Sequence, residues 1–154
     1  MDFQLSLNSE TVGAADPDEP LAVTADTPLR DVLLLMKAQR TGSVIVCNDG
    51  KLAGIFTERD ALRLMARQAP LDVPVQTAMS RNVSTLTADS TVGLAIRQMS
   101  DGGYRRLPIV DGQNAPQGMI NVRGIVHYLV QHFPQAIYNL PPNPNPKLAE
   151  REGA

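Results

Sequence analysis

The chain repeats itself, and that repeat restricts the folds open to it more than any other feature. Val23-Thr24-Ala25-Asp26-Thr27 returns 63 positions later as Leu86-Thr87-Ala88-Asp89-Ser90. Leu29, Val32, Leu33 and Met36 fall on Val92, Ala95, Ile96 and Met99 at the same spacing. After one inserted residue, Gly54-Ile55-Phe56-Thr57-Glu58-Arg59-Asp60 falls on Gly118-Met119-Ile120-Asn121-Val122-Arg123-Gly124. A repeat of this length means two copies of one supersecondary unit, neither able to bury its apolar face alone. Two such units pack about a pseudo-twofold axis, and internal interfaces of this kind are favoured ligand sites.

Each copy reads as β-α-β-β-α, so the fold class is α+β. In the first copy an extended piece, Leu21 to Thr24, leads to Thr27 as N-cap with Pro28 at the first helical position, where its missing N–H removes nothing. Leu29, Val32, Leu33 and Met36 follow the i, i+3, i+4, i+7 spacing of a buried helix face. Leu34 and Leu35 widen that face where the second copy has Arg97 and Gln98, which predicts a second buried surface against the partner copy or another subunit. Ser43 to Cys47 is a β-branched strand, Asn48-Asp49-Gly50 a tight turn, and Leu52 to Phe56 the return strand. A helix from Glu58 to Arg67 turns Ala61, Leu62 and Met65 inward. Ala69 to Pro74 links the copies, with a short helical piece at Val75 to Met79. The second copy repeats the order: a strand at Val83 to Thr87, a helix from Thr91 to Asp101 closed by Gly102-Gly103, a hairpin from Arg106 to Asn121, and a helix bearing Ile125, Val126, Leu129 and Val130. The expected divisions are an N-terminal arm (1–20), motif 1 (21–68), a linker (69–82), motif 2 (83–133) and a Pro/Asn-rich tail (134–154). In the arm, Phe3, Leu5 and Leu7 alternate as in a short edge strand; in the tail, Tyr138 and Leu140 are docking candidates.

Composition excludes several classes of function. A chain of 154 residues buries roughly 68–70% of its unfolded surface and needs no covalent staple. Fourteen basic against 16 acidic residues give a net charge of −2, which argues against nucleic acid or a membrane surface as partner. The single cysteine, Cys47, excludes an intrachain disulfide and suits a reducing cytoplasm. The first residues show no basic and apolar secretory pattern, and no apolar run reaches the roughly 18 residues of a membrane span. Cys47 lies among valines as a core residue. His127 and His132, five apart on one helix, lack the shared face and companion ligands of a metal site. No Gly-rich phosphate loop, triad or paired-carboxylate constellation appears, so the chain is read as a non-enzyme with no catalytic cofactor.

The chemistry is carried by two segments. Thr57-Glu58-Arg59-Asp60 places a hydroxyl and a carboxylate three residues apart at a strand-to-helix corner. That pair serves either as a capping box or as a grip on a ribose, with the helix-start N–H groups favouring an anion. Tyr104-Arg105-Arg106-Leu107-Pro108-Ile109-Val110-Asp111 brings two adjacent guanidinium forks, suited to phosphate oxygens, to the edge of an apolar strand, where alternation aims them at opposite faces.

Together with the duplication, Gly54-Ile55-Phe56-Thr57-Glu58-Arg59-Asp60 and Tyr104 to Asp111 resemble the motifs of tandem cystathionine-β-synthase-type (CBS) domains over about residues 20–133. The resemblance implies a regulatory module holding an adenine nucleotide (AMP, ADP or ATP, with S-adenosylmethionine ranked behind) between the two motifs. It implies a site made of Thr57, Arg59 and Asp60 from the first copy, Val83 and Ser84 beside adenine or ribose, Tyr104, Arg105, Arg106 and Pro108 beside base and phosphates, and Arg123 as a further phosphate ligand. It also implies a homodimer, with Leu34 and Leu35 at the contact, and an effector protein that reads the bound state. The sister corner carries Asn121 and Gly124 in place of Thr and Asp, and Thr41, Gly42 and Ser43 in place of Tyr104, Arg105 and Arg106, so it is expected to hold a nucleotide poorly. The alternative from another class is a ligand-free dimerisation scaffold.

Overall fold

The structure is a computed structural model describing residues 7–134. Phe3 and Leu5 of the possible edge strand, and Tyr138 and Leu140 of the tail, lie outside the described residues.

The first copy is a three-stranded sheet with two helices. Strand β1 (Ala22–Thr24) runs parallel to β2 (Ser43–Asn48), and β2 pairs antiparallel with β3 (Lys51–Thr57). Helix α1 (Leu29–Gln39) joins β1 to β2, and α2 (Glu58–Ala66) follows β3. The hairpin closes at Asp49 and Gly50, both at positive φ, as a type I′ turn requires. In the second copy α3 (Val92–Gly102) precedes an antiparallel pair, β4 (Arg106–Val110) and β5 (Pro116–Asn121), and α4 (Val122–His132) ends the unit. The repeat extends to irregularities. The ladder slips at Val46/Cys47 in one hairpin and at Ile109/Val110 in the other, 63 positions on.

The two copies differ at their first strand. In place of a strand over Val83 to Thr87, the second copy keeps only a parallel bridge between Leu86 and Ile109. In the first copy the Ile45 N–H donates to the Leu21 carbonyl at 2.8 Å. Pro108 stands at the equivalent place and has no N–H to give. The Leu86 N–H to Pro108 carbonyl bond (2.9 Å) and the Val110 N–H to Leu86 carbonyl bond (2.8 Å) form, and the rung beyond them is lost.

Each half is completed by the segment that precedes the other half. The arm forms a short 3-10 turn, Val12–Ala14, whose N–H groups reach the second copy: Val12 to the Ser90 carbonyl (2.9 Å) and Gly13 to that of Ala88 (3.1 Å). The linker does the same for the first copy through Val75–Thr77, with Val75 donating to Thr27 (2.8 Å) and Gln76 to Ala25 (3.2 Å). Val12 and Val75 are both fully buried. One core cluster joins Val12 and Ala15 to Leu86, Val92, Leu107, Ile109 and Ile120; the other joins Val75 and Met79 to Leu29, Val32, Val44, Val46 and Phe56. Beyond each turn the chain lies against the hairpin, Asp18 bridging Met119 and Ser80 bridging Ile55. Gly54 is needed for that approach: a Cβ there would sit 2.8 Å from the Ser80 carbonyl oxygen.

Three local expectations are corrected. Helix α1 is capped by Pro28 in extended conformation, without a side-chain hydrogen bond, because Thr27 closes a turn: its N–H donates to the Thr24 carbonyl, and its hydroxyl lies 3.1 Å from that of Thr24. The matching position in the second copy, Thr91, does cap its helix, accepting from the Leu94 N–H at 3.0 Å. On α2 the inward face is Asp60, Ala61 and Leu64, whereas Leu62 and Met65 are exposed. One residue on from the Ala61–Leu64 row is a rotation of about 100°, which carries Leu62 and Met65 off the sheet. Finally, of the two surfaces expected to cover Leu34 and Leu35, the other copy leaves Leu34 59% exposed and Leu35 half-buried.

Candidate functional site: an arginine-lined corner

The duplicated strand-to-helix corners present two chemically different sites. At the first, Thr57 caps α2 and the capping box is complete. The Asp60 carboxylate accepts from the Thr57 N–H (2.9 Å) and hydroxyl (3.1 Å), and the Thr57 hydroxyl oxygen accepts from the Asp60 N–H (3.4 Å). Asp60 is buried. Both readings of Thr-x-x-Asp stood open in the sequence; the structural role is the one the side chains adopt. A cavity of about 700 Å³ lies beside this corner, lined by Leu33, Met36, Lys37, Leu62, Met65 and Arg106 among others, but not by Thr57 or Asp60.

At the second corner Asn121 is the cap, its Oδ1 accepting from the Gly124 N–H at 2.7 Å. A cavity of about 720 Å³ opens there. Arg105 and Arg106 enter it from the start of β4, Asn121, Val122, Arg123 and Gly124 from the start of α4, and Ala15, Asp16 and Asp18 from the arm. His127, Tyr128 and Gln131 line the α4 side. Tyr128 donates its hydroxyl to the Glu10 carboxylate at 2.8 Å, and burial, reinforced by Glu10, pushes its phenol up to about 12. Arg105, Arg106 and Arg123 all border this cavity, and with the first turn of an eleven-residue helix they make a corner suited to an anion.

The expected site residues are therefore divided among different places. Arg105, Arg106 and Arg123 meet in one cavity. Both adjacent arginines border this cavity, Arg106 as the first residue of β4 and Arg105 just before it. Arg106 also borders the cavity beside the first corner, its guanidinium 2.8 Å from where a Cβ on Gly42 would lie. Thr57 and Asp60 are held in the cap. Arg59 is exposed on α2 and lines none of the three cavities described here. Ser84 and Tyr104 line a third cavity of about 470 Å³ with Leu94, Arg97 and Gln98, where the Ser84 hydroxyl donates to Gln98 Oε1 at 3.3 Å. Val83 is half-buried, and Pro108 is buried in β4 with its carbonyl engaged by Leu86. The sequence reading missed Asp16 and Asp18. Their signal was there: carrying the 63-residue offset upstream sets Val12 on Val75 and the arm on the linker.

Among the described residues no group of three or more His, Cys, Asp or Glu is placed to hold a metal ion, and no helix is long and apolar enough to cross a membrane. Burial raises the Cys47 thiol pKa, which leaves less of the reactive thiolate.

This architecture, a β-α-β-β-α unit interlocked with a second that keeps only a bridge in place of its first strand, is that of a CBS pair. The CBS domain model matches residues 15–67 and 73–131, and the chain belongs to that family. A 17.7 kDa protein of Acidianus ambivalens is 31% identical over 96 residues, spanning 62% of this chain and 58% of its own. The chain spans less than two thirds of the length of the curated relatives it matches first. Among solved structures, the CBS domain protein PAE2072 of Pyrobaculum aerophilum, complexed with AMP, superposes with a TM-score of 0.70 at 19% identity, over 79% of this chain and 98% of that one. The CBS domain pair of MJ0100, in complex with 5-methylthioadenosine and S-adenosyl-L-methionine, gives 0.71 at 20% identity, over 79% and 96%. At these identities the likeness is one of fold.

Proposed function

We propose that this chain is a regulatory module that binds an adenine nucleotide at the second corner, with the phosphates against Arg105, Arg106 and Arg123. The observation that carries this is the convergence of three arginines on one cavity of about 720 Å³, within the usual range for small-ligand sites, in a fold whose solved relatives include complexes with AMP and with 5-methylthioadenosine and S-adenosyl-L-methionine. AMP, ADP and ATP fit this charge better than S-adenosylmethionine, which has no phosphate. The reading departs from the sequence expectation, which put the nucleotide at the Thr57/Asp60 corner and expected the Asn121/Gly124 corner to hold one poorly. The arginines act with the Asn121 corner, and Asp60 serves the fold of the first copy.

Binding there touches the arm, β4 and α4 together, so it alters how one half holds the segment supplied by the other. An effector protein that senses this packing completes the signal. Leu34, Leu62, Met65, Val122 and Val126 are exposed and form our candidate contact for a homodimer. A thermal-shift panel of adenosine, AMP, ADP, ATP and S-adenosylmethionine tests the function. A ligand at a hundred times its dissociation constant adds about 2.7 kcal/mol, so phosphorylated ligands should raise Tm more than adenosine. No shift with any of them at millimolar concentration refutes the proposal and favours the ligand-free scaffold, for which the bare Gly124 speaks.

A further inference from the structure

The second corner lacks the motif carboxylate, since Gly124 stands where Asp60 stands in the first copy. The structure nevertheless brings a carboxylate to it. The capping residue Asn121 donates from Nδ2 to Asp18 Oδ2 at 2.6 Å. At the first corner the capping residue Thr57 donates to Asp60 Oδ2 at 3.1 Å. In each copy one carboxylate is hydrogen-bonded to the cap; what differs is the segment that supplies it.

The exchange is reciprocal. Asp18 bridges Met119 through two backbone bonds of 2.9 Å, and Ser80 bridges the equivalent Ile55 through bonds of 2.9 and 3.0 Å. Ser80 is thus the counterpart of Asp18. The first corner has its carboxylate on the helix and serine on the strap; the second has glycine on the helix and its carboxylate on the strap. The two carboxylates also differ in what they can do. Asp60 is buried, with a single oxygen serving both Thr57 bonds. Asp18 is exposed and lines the arginine cavity, and its second oxygen has no protein donor among the described residues.

We propose that Asp18 is the acceptor for the sugar hydroxyls of the ligand in this cavity, standing in for the missing carboxylate at position 124 and selecting a ribonucleotide over its deoxy analogues. The inference rests on the nucleotide reading above. A carboxylate beside a vicinal diol accepts charge-assisted bonds that a deoxy sugar cannot make. Asn121 fixes one oxygen and leaves the other for the ligand, while the arginines supply the opposite charge for its phosphate.

Calorimetric titration of AMP, 2′-deoxy-AMP and 3′-deoxy-AMP into the full chain tests this, using wild type, Asp18→Asn and the double variant Asp18→Asn/Gly124→Asp. Asn is isosteric and leaves the backbone bridge to Met119 in place. Wild type should prefer AMP by about tenfold, the worth of a charge-assisted hydrogen bond. Asp18→Asn should lose that preference, binding AMP as weakly as the deoxy analogues. Gly124→Asp should restore it, because a Cβ at 124 finds its nearest neighbour, Asn121 Oδ1, at an ordinary 3.4 Å and no positive φ stands in the way. If Asp18 only pins the arm, Asp18→Asn weakens all three ligands in parallel and the assignment falls. AMP affinity and selectivity unchanged in Asp18→Asn overturn it as well, with the nucleotide reading intact. Absence of AMP binding by wild type overturns both.

Discussion

Val12→Ala should destabilise the second half of the protein although Val12 lies outside both matched CBS segments. Its side chain is fully buried against Leu86, Val92, Leu107 and Ile109. Truncation removes two methyl groups from that core at about 0.8 kcal/mol each. The cavity left behind adds up to about 1 kcal/mol more. The sum, about 2–2.5 kcal/mol, is a sizeable share of the roughly 5–15 kcal/mol by which domains are stable. For a chain of this length it corresponds to a fall in Tm of about 4–10 °C. Val75→Ala, the twin position in the linker, should lose the same within about 0.5 kcal/mol. Urea denaturation of both variants checks this. If Val12→Ala matches wild type while Val75→Ala is destabilised, the arm is not an integral part of the second core, and the claim that each half is completed by the other's leading segment fails.

Other outcomes follow from single contacts. Gly54→Ala should destabilise by about 1–3 kcal/mol through overpacking, because its Cβ meets the Ser80 carbonyl oxygen at 2.8 Å, whereas Gly118→Ala, facing Pro17 Cβ at 3.2 Å, should lose less; thermal melts rank the two. Asp60→Ala should reduce stability by about 1–2 kcal/mol through loss of the cap and an unpaired Thr57 N–H, yet leave AMP affinity within about threefold of wild type by calorimetry. The Tyr128 phenol, raised to about 12 by burial and by Glu10, keeps its proton more tightly in the folded state. The resulting stability is full below pH 10 and is lost as pH rises through about 12. Melting curves between pH 9 and 12 should therefore fall less steeply for Tyr128→Phe than for wild type.

The repeat made the scaffold legible because both copies bury the same face of the same helix: Leu29, Val32 and Met36 align with Val92, Ala95 and Met99, and all six are buried. Three features escaped. Leu62 and Met65 share the apolar character of Ala61 and Leu64, and composition does not tell which row meets a sheet when the helix has only nine residues. The lost strand before Leu86 depends on a missing N–H at Pro108, a long-range consequence of a residue that reads locally as an ordinary strand member. The arm reads as polar around Asp16-Pro17-Asp18-Glu19-Pro20, and its one decisive side chain, Val12, is recognisable only by extending the repeat offset upstream. The arm brings Asp16 and Asp18 to the second corner, while Thr57 and Asp60 bond each other in the cap of α2 and Arg106 borders the cavities at both corners.

In the proposed function the arginine corner takes the phosphate of an adenine nucleotide. Titration calorimetry of AMP and adenosine into wild type and Arg123→Ala tests it most directly, since Arg123 is exposed in the first turn of α4 and its truncation leaves the core untouched. Wild type should bind AMP at least about tenfold more tightly than adenosine, and Arg123→Ala should remove most of that difference. Equal affinity of wild type for AMP and adenosine, or an AMP affinity indifferent to Arg123→Ala, would contradict it.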